Sequence, residues 1–459
     1  MCAIHILTIR GKTTFVCEKS EKQKLEKYMD SLWKKGLDLP SFPKLDSDKK
    51  TDVLIIGGGI CGILCAYMLH QRGVRYILVE AKKICGGITA NTTAKITVGH
   101  GFIYDKLIRE FGIDKARLYL HAQMAACAQY REMCQRIDCH FEERDSYVYS
   151  LDSSKAIDKE ITALKRIGYR AELTASTPLP FEIAGAVKYP AQAQFHPLEF
   201  MSAVARDLNI YEETTVERLD GTTALTKHGK IKADKIIVAT HFPFINKHGS
   251  YFLKMYQHRS YVIALENAQD VEGMYVDEAR CGMSFRNYEN LLLIGGGSHR
   301  TGKQGGGWQE LRDFAARYYT SAKEKYAFAT QDCMTLDGVP YIGKYSASTE
   351  GLFVASGFNK WGMTSSMVAA SLLCDLVQGK KNAYEQVFSP SRTMLRPQLA
   401  ANIGETLKNF IIPTTKRCTH LGCALKWNRY EHSWDCACHG SRFTKEGELI
   451  NNPAKKGLR

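Results

Sequence analysis

Six residues near the carboxyl end have the types and spacing to hold a metal centre: Cys418-Thr-His420-Leu-Gly-Cys423, then twelve residues, then Cys436-Ala-Cys438-His439. Two thiolates and two imidazoles in paired short spacings, C-x-H and C-x-x-H, satisfy a tetrahedral zinc ion. They also satisfy a binuclear iron-sulfur cluster, with Cys418 and Cys436 on one iron and neutral His420 and His439 on the other. Thiolates suit ferric iron, whereas imidazoles donate less charge, stabilise the ferrous form and raise the reduction potential. Zinc needs no further cysteine pair, so Cys423 and Cys438 weigh toward the cluster and one-electron transfer.

The stretch CTHLGC to WDCACHGSRF resembles the Rieske proteins of respiratory and photosynthetic cytochrome complexes. The resemblance implies a [2Fe-2S] cluster, a Cys423 to Cys438 disulfide clamping the two loops, and a hydrogen bond from Ser441 to a cluster sulfur. Phe443 stands where higher-potential relatives carry a tyrosine, which implies an intermediate to low potential. Such modules build a base from strands on both sides of the loops. Here Leu399, Ile403, Leu407 and Phe410 recur at helical spacing between Pro397 and Ile411, so the expectation is a helix followed by a small, abbreviated all-β module.

A second chemical signature lies at the other end. The apolar run Val53 to Ile56 leads into Gly57-Gly-Gly59-Ile-Cys-Gly62, then a helical segment through His70, then a strand Tyr76 to Val79 ending at Glu80. This is the dinucleotide fingerprint in its proper context. Gly57 permits the turn, Gly59 lets the backbone approach a pyrophosphate, Gly62 lets helix and strand pack, and Glu80 accepts ribose hydroxyls.

FAD and NAD share this cradle. The segment Thr335-Leu-Asp337-Gly-Val-Pro340, followed by Gly351 to Gly357 and then Gly362-Met363-Thr364, resembles the C-terminal flavin-binding region of the D-amino-acid oxidase and glycine oxidase superfamily. That resemblance implies FAD, with Gly357, Gly362, Met363 and Thr364 at the flavin. A helix beginning there offers backbone N–H groups to the reduced ring. It further implies that Val216, in Thr214-Thr-Val216, meets the adenine, and that Thr92 and Thr93, in TANTTAK, lie against the flavin. Amino-acid oxidases of this superfamily place a carboxylate-binding arginine five residues before the aspartate of the DGxP motif. Asp332 occupies that position here, which speaks against a carboxylate bound in the same way. His100, Arg286 and His299 are the candidate catalytic residues, chosen by type alone.

The expected fold is α/β: a Rossmann-like FAD part with an inserted α+β substrate part, plus the cluster module. Residues 1–50 read as a lead-in, helical and then extended. The oxidoreductase spans 51–390, its FAD parts near 51–110, 190–250 and 330–390 and its substrate parts near 110–190 and 250–330. A linker helix over 391–412 and the cluster module over 413–459 follow. The formal charge of +14 is spread along the chain, and short pairs such as Lys380-Lys381 and Lys455-Lys456 exclude a nucleic-acid footprint. The charge suits an acidic, ferredoxin-like electron partner. No apolar run is long enough to span a membrane, no signal peptide is evident, and scattered cysteines fit a cytoplasmic protein. Oligomeric state is not legible.

The expected function is therefore a hydride abstraction by FAD from a small amine-like or other reduced substrate, with electrons passing singly through the cluster. Two alternatives stand beside it. One is an oxygen-using flavin oxidase whose C-terminal module is structural, zinc-loaded or empty, and the other is a non-catalytic electron-transfer or redox-sensing protein.

Overall fold

In the computed structural model, residues 4–9, 12–17, 31–245 and 248–458 are described. The helix expected early in the lead-in falls on residues 18–30, outside the described residues. Strands Ile4–Ile9 and Lys12–Cys17 form an antiparallel hairpin.

The strand Lys49–Ile56 lies at the centre of a largely parallel sheet. Tyr76–Val79 pairs on one side and Lys230–Val238 on the other, and Ile210–Tyr211 extends the sheet beyond Tyr76–Val79. Leu352–Ser356 runs parallel beside the end of Lys230–Val238, and Tyr341–Lys344 closes that edge antiparallel. Val53, Leu54, Ile55 and Ile56 are all buried, as a parallel strand covered on both faces requires. The helices Ile60–Gln71 and Gly362–Val377 pack on one another against the sheet. Small residues at their contact, including Cys65, Ala66, Ala369 and Ala370, let them approach closely.

A second, mostly antiparallel sheet runs Lys323–Thr335, Met255–Glu266, Leu291–Arg300, Ser284–Tyr288, Met274–Asp277, Glu142–Ser150, Gly185–Gln194 and Lys95–Ile96, with Glu172–Thr174 added beside Gly185–Gln194. Its long central strands carry the face on which the C-terminal residues dock.

The last part opens with the helix Pro397–Ile411. A four-stranded antiparallel meander follows: Leu425–Asn428, Ser433–Cys436, Arg442–Thr444 and Leu449–Asn451. The fold is thus the expected α/β arrangement with a small all-β sheet. The helix stands where strands would precede the first loop, and the meander rests on the larger sheet. Among the described residues, no helix is long and apolar enough to cross a membrane.

Candidate functional site

The glycine turn after Lys49–Ile56 is built to keep side chains out. Gly57 has φ 114°, and a Cβ there would sit 2.7 Å from the Ala239 carbonyl oxygen. A Cβ on Gly62 would run into the Gly57 carbonyl oxygen, whereas one on Gly59 would meet only Thr89 Oγ1 at 3.5 Å. The helix N-terminus at Ile60 is therefore open above Gly59, as a pyrophosphate requires. Glu80 accepts from Gly58 N at 2.7 Å and Lys82 N at 2.9 Å, so it braces the turn and keeps lone pairs for a ribose. Thr214 N donates to Glu80 O at 2.8 Å, which brings the buried Val216 alongside as a loop rather than a strand.

Thr92 and Thr93 of the TANTTAK loop are fixed by backbone contacts. Thr92 Oγ1 accepts from Ala94 N, and Thr92 O accepts from Trp33 Nε1 at 2.7 Å. Arg286 donates to Thr93 O at 2.8 Å and Ala94 O at 3.1 Å. Its guanidinium also lies over the Trp33 ring. The lead-in thus contributes a brace, although its sequence suggests no role. Across the site, Gly357 ends its strand at φ 73°, and the first turn of Gly362–Val377 leaves unpaired N–H groups. Tyr130 donates to Met363 O at 3.0 Å, and Thr364 Oγ1 is 3.1 Å from His100 Nε2. The glycine cradle and this helix start fit a flavin dinucleotide.

The three candidate catalytic residues each hydrogen-bond to neighbouring groups. His100 contacts Tyr119 OH at 2.7 Å and Thr97 O at 2.9 Å, stacks on Trp361, and is pushed down to about 3 by burial. Arg286 is the loop brace. His299 contacts Tyr261 OH at 3.0 Å and Arg300 O at 2.9 Å, beside the cluster module.

A different trio, Lys360, Asp332 and His258, is brought together by the fold. Lys360 Nζ lies 3.3 Å from Ser298 Oγ, and Asp332 is close enough for each charge to favour the other. His258 pairs across from Asp332, and its buried Nδ1 has no hydrogen-bond partner among the described residues. Burial raises Asp332 to about 6 and lowers Lys360. The signal for Lys360 lay in its place between Gly357 and Gly362, just before the helix start.

The C-terminal ligand loops share one design. Cys418 N donates to Cys423 O and Gly422 N to Cys418 O; Cys436 N donates to Ser441 O and Gly440 N to Cys436 O, all at 2.9 Å. The Sγ atoms of Cys423, Cys436 and Cys438 lie within 4.8 Å of one another, and Cys418 meets Cys436. Cys423 and Cys438 are both free thiols here. The His420 and His439 rings are 5.0 Å apart, and burial pushes them down to about 4 and about 3, so both are neutral as ligands must be. The Phe252 backbone hydrogen-bonds the His439 ring, whose buried Nδ1 has no partner among the described residues. Holding one imidazole nitrogen and freeing the other is how a protein orients a metal ligand. Ser441 reaches the Cys418 thiol. This donor set fits a [2Fe-2S] cluster.

The two loops are held by different neighbours. His439 is 1% exposed, and its loop is held by the large sheet. Gln257 Nε2 donates to His439 O at 2.8 Å, Gln331 Nε2 to Gly440 O at 2.9 Å, and Arg300 to Ala437 O and Cys438 O at 2.9 and 3.2 Å. Asn452 Nδ2 reaches Phe242 O at 3.0 Å, just beyond the strand Lys230–Val238 of the flavin sheet. His420 is partly exposed, and its loop is carried by the helix Pro397–Ile411 through Ala424 N to Asn409 O at 2.9 Å.

Known proteins bear directly on these two centres. The family model of FAD dependent oxidoreductases matches residues 52–376, and that of the Rieske [2Fe-2S] domain matches residues 402–459. The putative Rieske 2Fe-2S iron-sulfur protein YhfW of Bacillus subtilis (strain 168) is 37% identical, covering 94% of this chain and 97% of that one. Gamma-glutamylputrescine oxidoreductase of Escherichia coli (strain K12) is 22% identical over 75% of this chain and 87% of its own. The crystal structure of glycine oxidase from Geobacillus kaustophilus shares the fold, with a TM-score of 0.63 and 21% identity over 75% of this chain and all of that one.

Proposed function

Because this chain belongs to the FAD dependent oxidoreductase family and carries a Rieske [2Fe-2S] domain, we propose that it oxidises a small amine-like substrate and relays the electrons singly to a protein partner. FAD when bound accepts a pair of electrons as hydride, and the cluster carries them one at a time. Gly57, Gly59, Gly62 and Glu80 hold the dinucleotide, with Val216 beside the adenine. Thr92, Thr93, Gly357 and the first turn at Gly362, Met363 and Thr364 surround the ring. Cys418, His420, Cys436 and His439 hold the cluster, and Cys423 and Cys438 close as a disulfide beside it. The chain divides as its motifs suggest, at about residues 50, 390 and 412.

The observation that carries this reading is the clamp on the inner loop. His439 is packed against Phe252 and held through Gln257 by the strand Met255–Glu266, whose partner Lys323–Thr335 leads into the Asp337 motif. An inner ligand fixed in this way suits electron exchange within the chain. The amine-like substrate is supported by Asp332, which stands where a carboxylate-binding arginine would, and by the activity named for the Escherichia coli relative. Lys360 and His258 lie beside Asp332 and orient the substrate. His100, Arg286 and His299 support the site without proton transfer.

Protein purified without oxygen is expected to contain FAD, iron and acid-labile sulfide. After dithionite reduction its EPR signal should have an average g below that of all-cysteine clusters, as the two imidazoles require. Adding small amines anaerobically should bleach the flavin and then develop the same signal. Flavin-containing protein with zinc or no metal, releasing hydrogen peroxide, would overturn the relay.

A further inference from the structure

The helix Pro397–Ile411 is turned inside out. Its polar residues Asn402 and Asn409 are buried. Asn402 accepts from Arg300 at 3.0 Å and donates to Leu253 O at 3.2 Å, and Glu405 pairs with Lys303 at 2.6 Å. The opposite face presents Ile403, Leu407, Phe410 and Ile411, which are 40%, 57%, 43% and 81% exposed. Their spacing places all four on one stripe. Exposed contiguous apolar surface of this kind marks an interaction site.

The stripe runs to the outer cluster loop. Phe410 Cε1 lies 3.7 Å from the Cβ position of Gly422, and Arg417 ties Phe410 O, Ile412 O and Gly422 O together. Leu421, 37% exposed, extends the apolar surface beside His420. Exposed Lys408 and Lys416 border it, and the whole chain carries +14.

We propose that this stripe, with Leu421 and His420, is the docking site of an acidic one-electron carrier protein. His439 then serves the flavin side and His420 the external side. This inference rests on the relay read above and adds where the partner sits. A small apolar centre with a basic rim suits a transient electron-transfer contact. A membrane surface is a poorer fit, because surface-binding helices turn a Lys/Arg-rich face to water. This helix carries only Glu405 and Lys408, and its polar side faces the protein.

The test is stopped-flow reduction of the full-length holoprotein by reduced plant-type ferredoxin or bacterial flavodoxin, with reduced methyl viologen as a small donor that needs no docking. Leu407→Glu is expected to slow the protein donors about tenfold, corresponding to one lost interface anchor. The methyl viologen rate and the cluster EPR signal should not change. Lys416→Glu should slow the protein donors several-fold at low salt, with the difference vanishing at high salt. Unchanged ferredoxin and flavodoxin rates in Leu407→Glu, or wild-type protein that accepts electrons from neither, would overturn the proposal. So would a dimer seen by ultracentrifugation, or sedimentation with phosphatidylglycerol vesicles, that Leu407→Glu abolishes. Wild-type protein without a cluster signal overturns the relay itself.

Discussion

Replacing Glu431 by alanine is expected to release the cluster module from the oxidoreductase. The Glu431 side chain is 7% exposed, accepts a two-pronged contact from Arg259, and lies 2.8 Å from Arg442 and 3.2 Å from Tyr261 OH. Arg442 also pairs with buried Asp435 at 3.0 Å. Two guanidiniums thus meet two carboxylates across the junction, nearly without water. Removing one carboxylate leaves a buried positive charge uncompensated, which costs about 3–5 kcal/mol. Urea or thermal unfolding should show that loss, and limited proteolysis should cleave the C-terminal part before the rest. Glu431→Gln, which keeps hydrogen-bonding capacity, should lie between the two. The same pair of arginines pulls the Glu431 carboxyl down to about 2 against the opposing effect of burial. Because the folded value lies below the usual 4.5, the contribution is complete above about pH 4.5 and is lost as pH falls toward 2. Melting temperatures of the wild type should therefore drop through that window, and those of Glu431→Ala should drop less.

How much of this was legible in the sequence depends on how local each feature is. The glycine turn and the two cluster loops are made by neighbours in the chain, so spacing alone identifies them. The helix Pro397–Ile411 was legible for the same reason, because Leu399, Ile403, Leu407 and Phe410 fix its period. Which side it buries was not, since apolar residues face inward by default and only Arg300, Lys303 and Leu253, distant in sequence, reverse that. The docking face was equally hidden. Gln257 and Arg259 alternate with His258 along one strand, and Glu431 sits in a hairpin turn that reads as ordinary surface charge. His100, Arg286 and His299 were chosen by residue type, which cannot tell a reactive group from a satisfied one. Each makes hydrogen bonds to neighbours in the structure. Lys360 and Asp332 become a pair only when the turn after Leu352–Ser356 meets the strand Lys323–Thr335.

Cys436→Ser is expected to abolish the cluster signal completely while leaving FAD bound. Cys436 Sγ sits among the other three thiols, and its backbone fixes the inner loop through Ser441 O and Gly440 N. A serine preserves those backbone bonds but supplies a hard hydroxyl in place of a thiolate, and one lost ligand on that iron is not replaced. The glycine cradle and the helix start at Gly362 are made by other elements, so flavin content should stay near that of the wild type. Cys423→Ser separates two ways of using the four sulfurs. If Cys423 only bonds Cys438, its variant keeps the Rieske signal on a loop less stable by about 2–4 kcal/mol. If the group of Cys423, Cys436 and Cys438 instead holds a metal together with Cys418, Cys423→Ser loses the metal and His439→Ala retains it. Iron content and EPR of these three variants, compared with FAD absorbance in the same samples, decide between a two-imidazole cluster and an all-thiolate site.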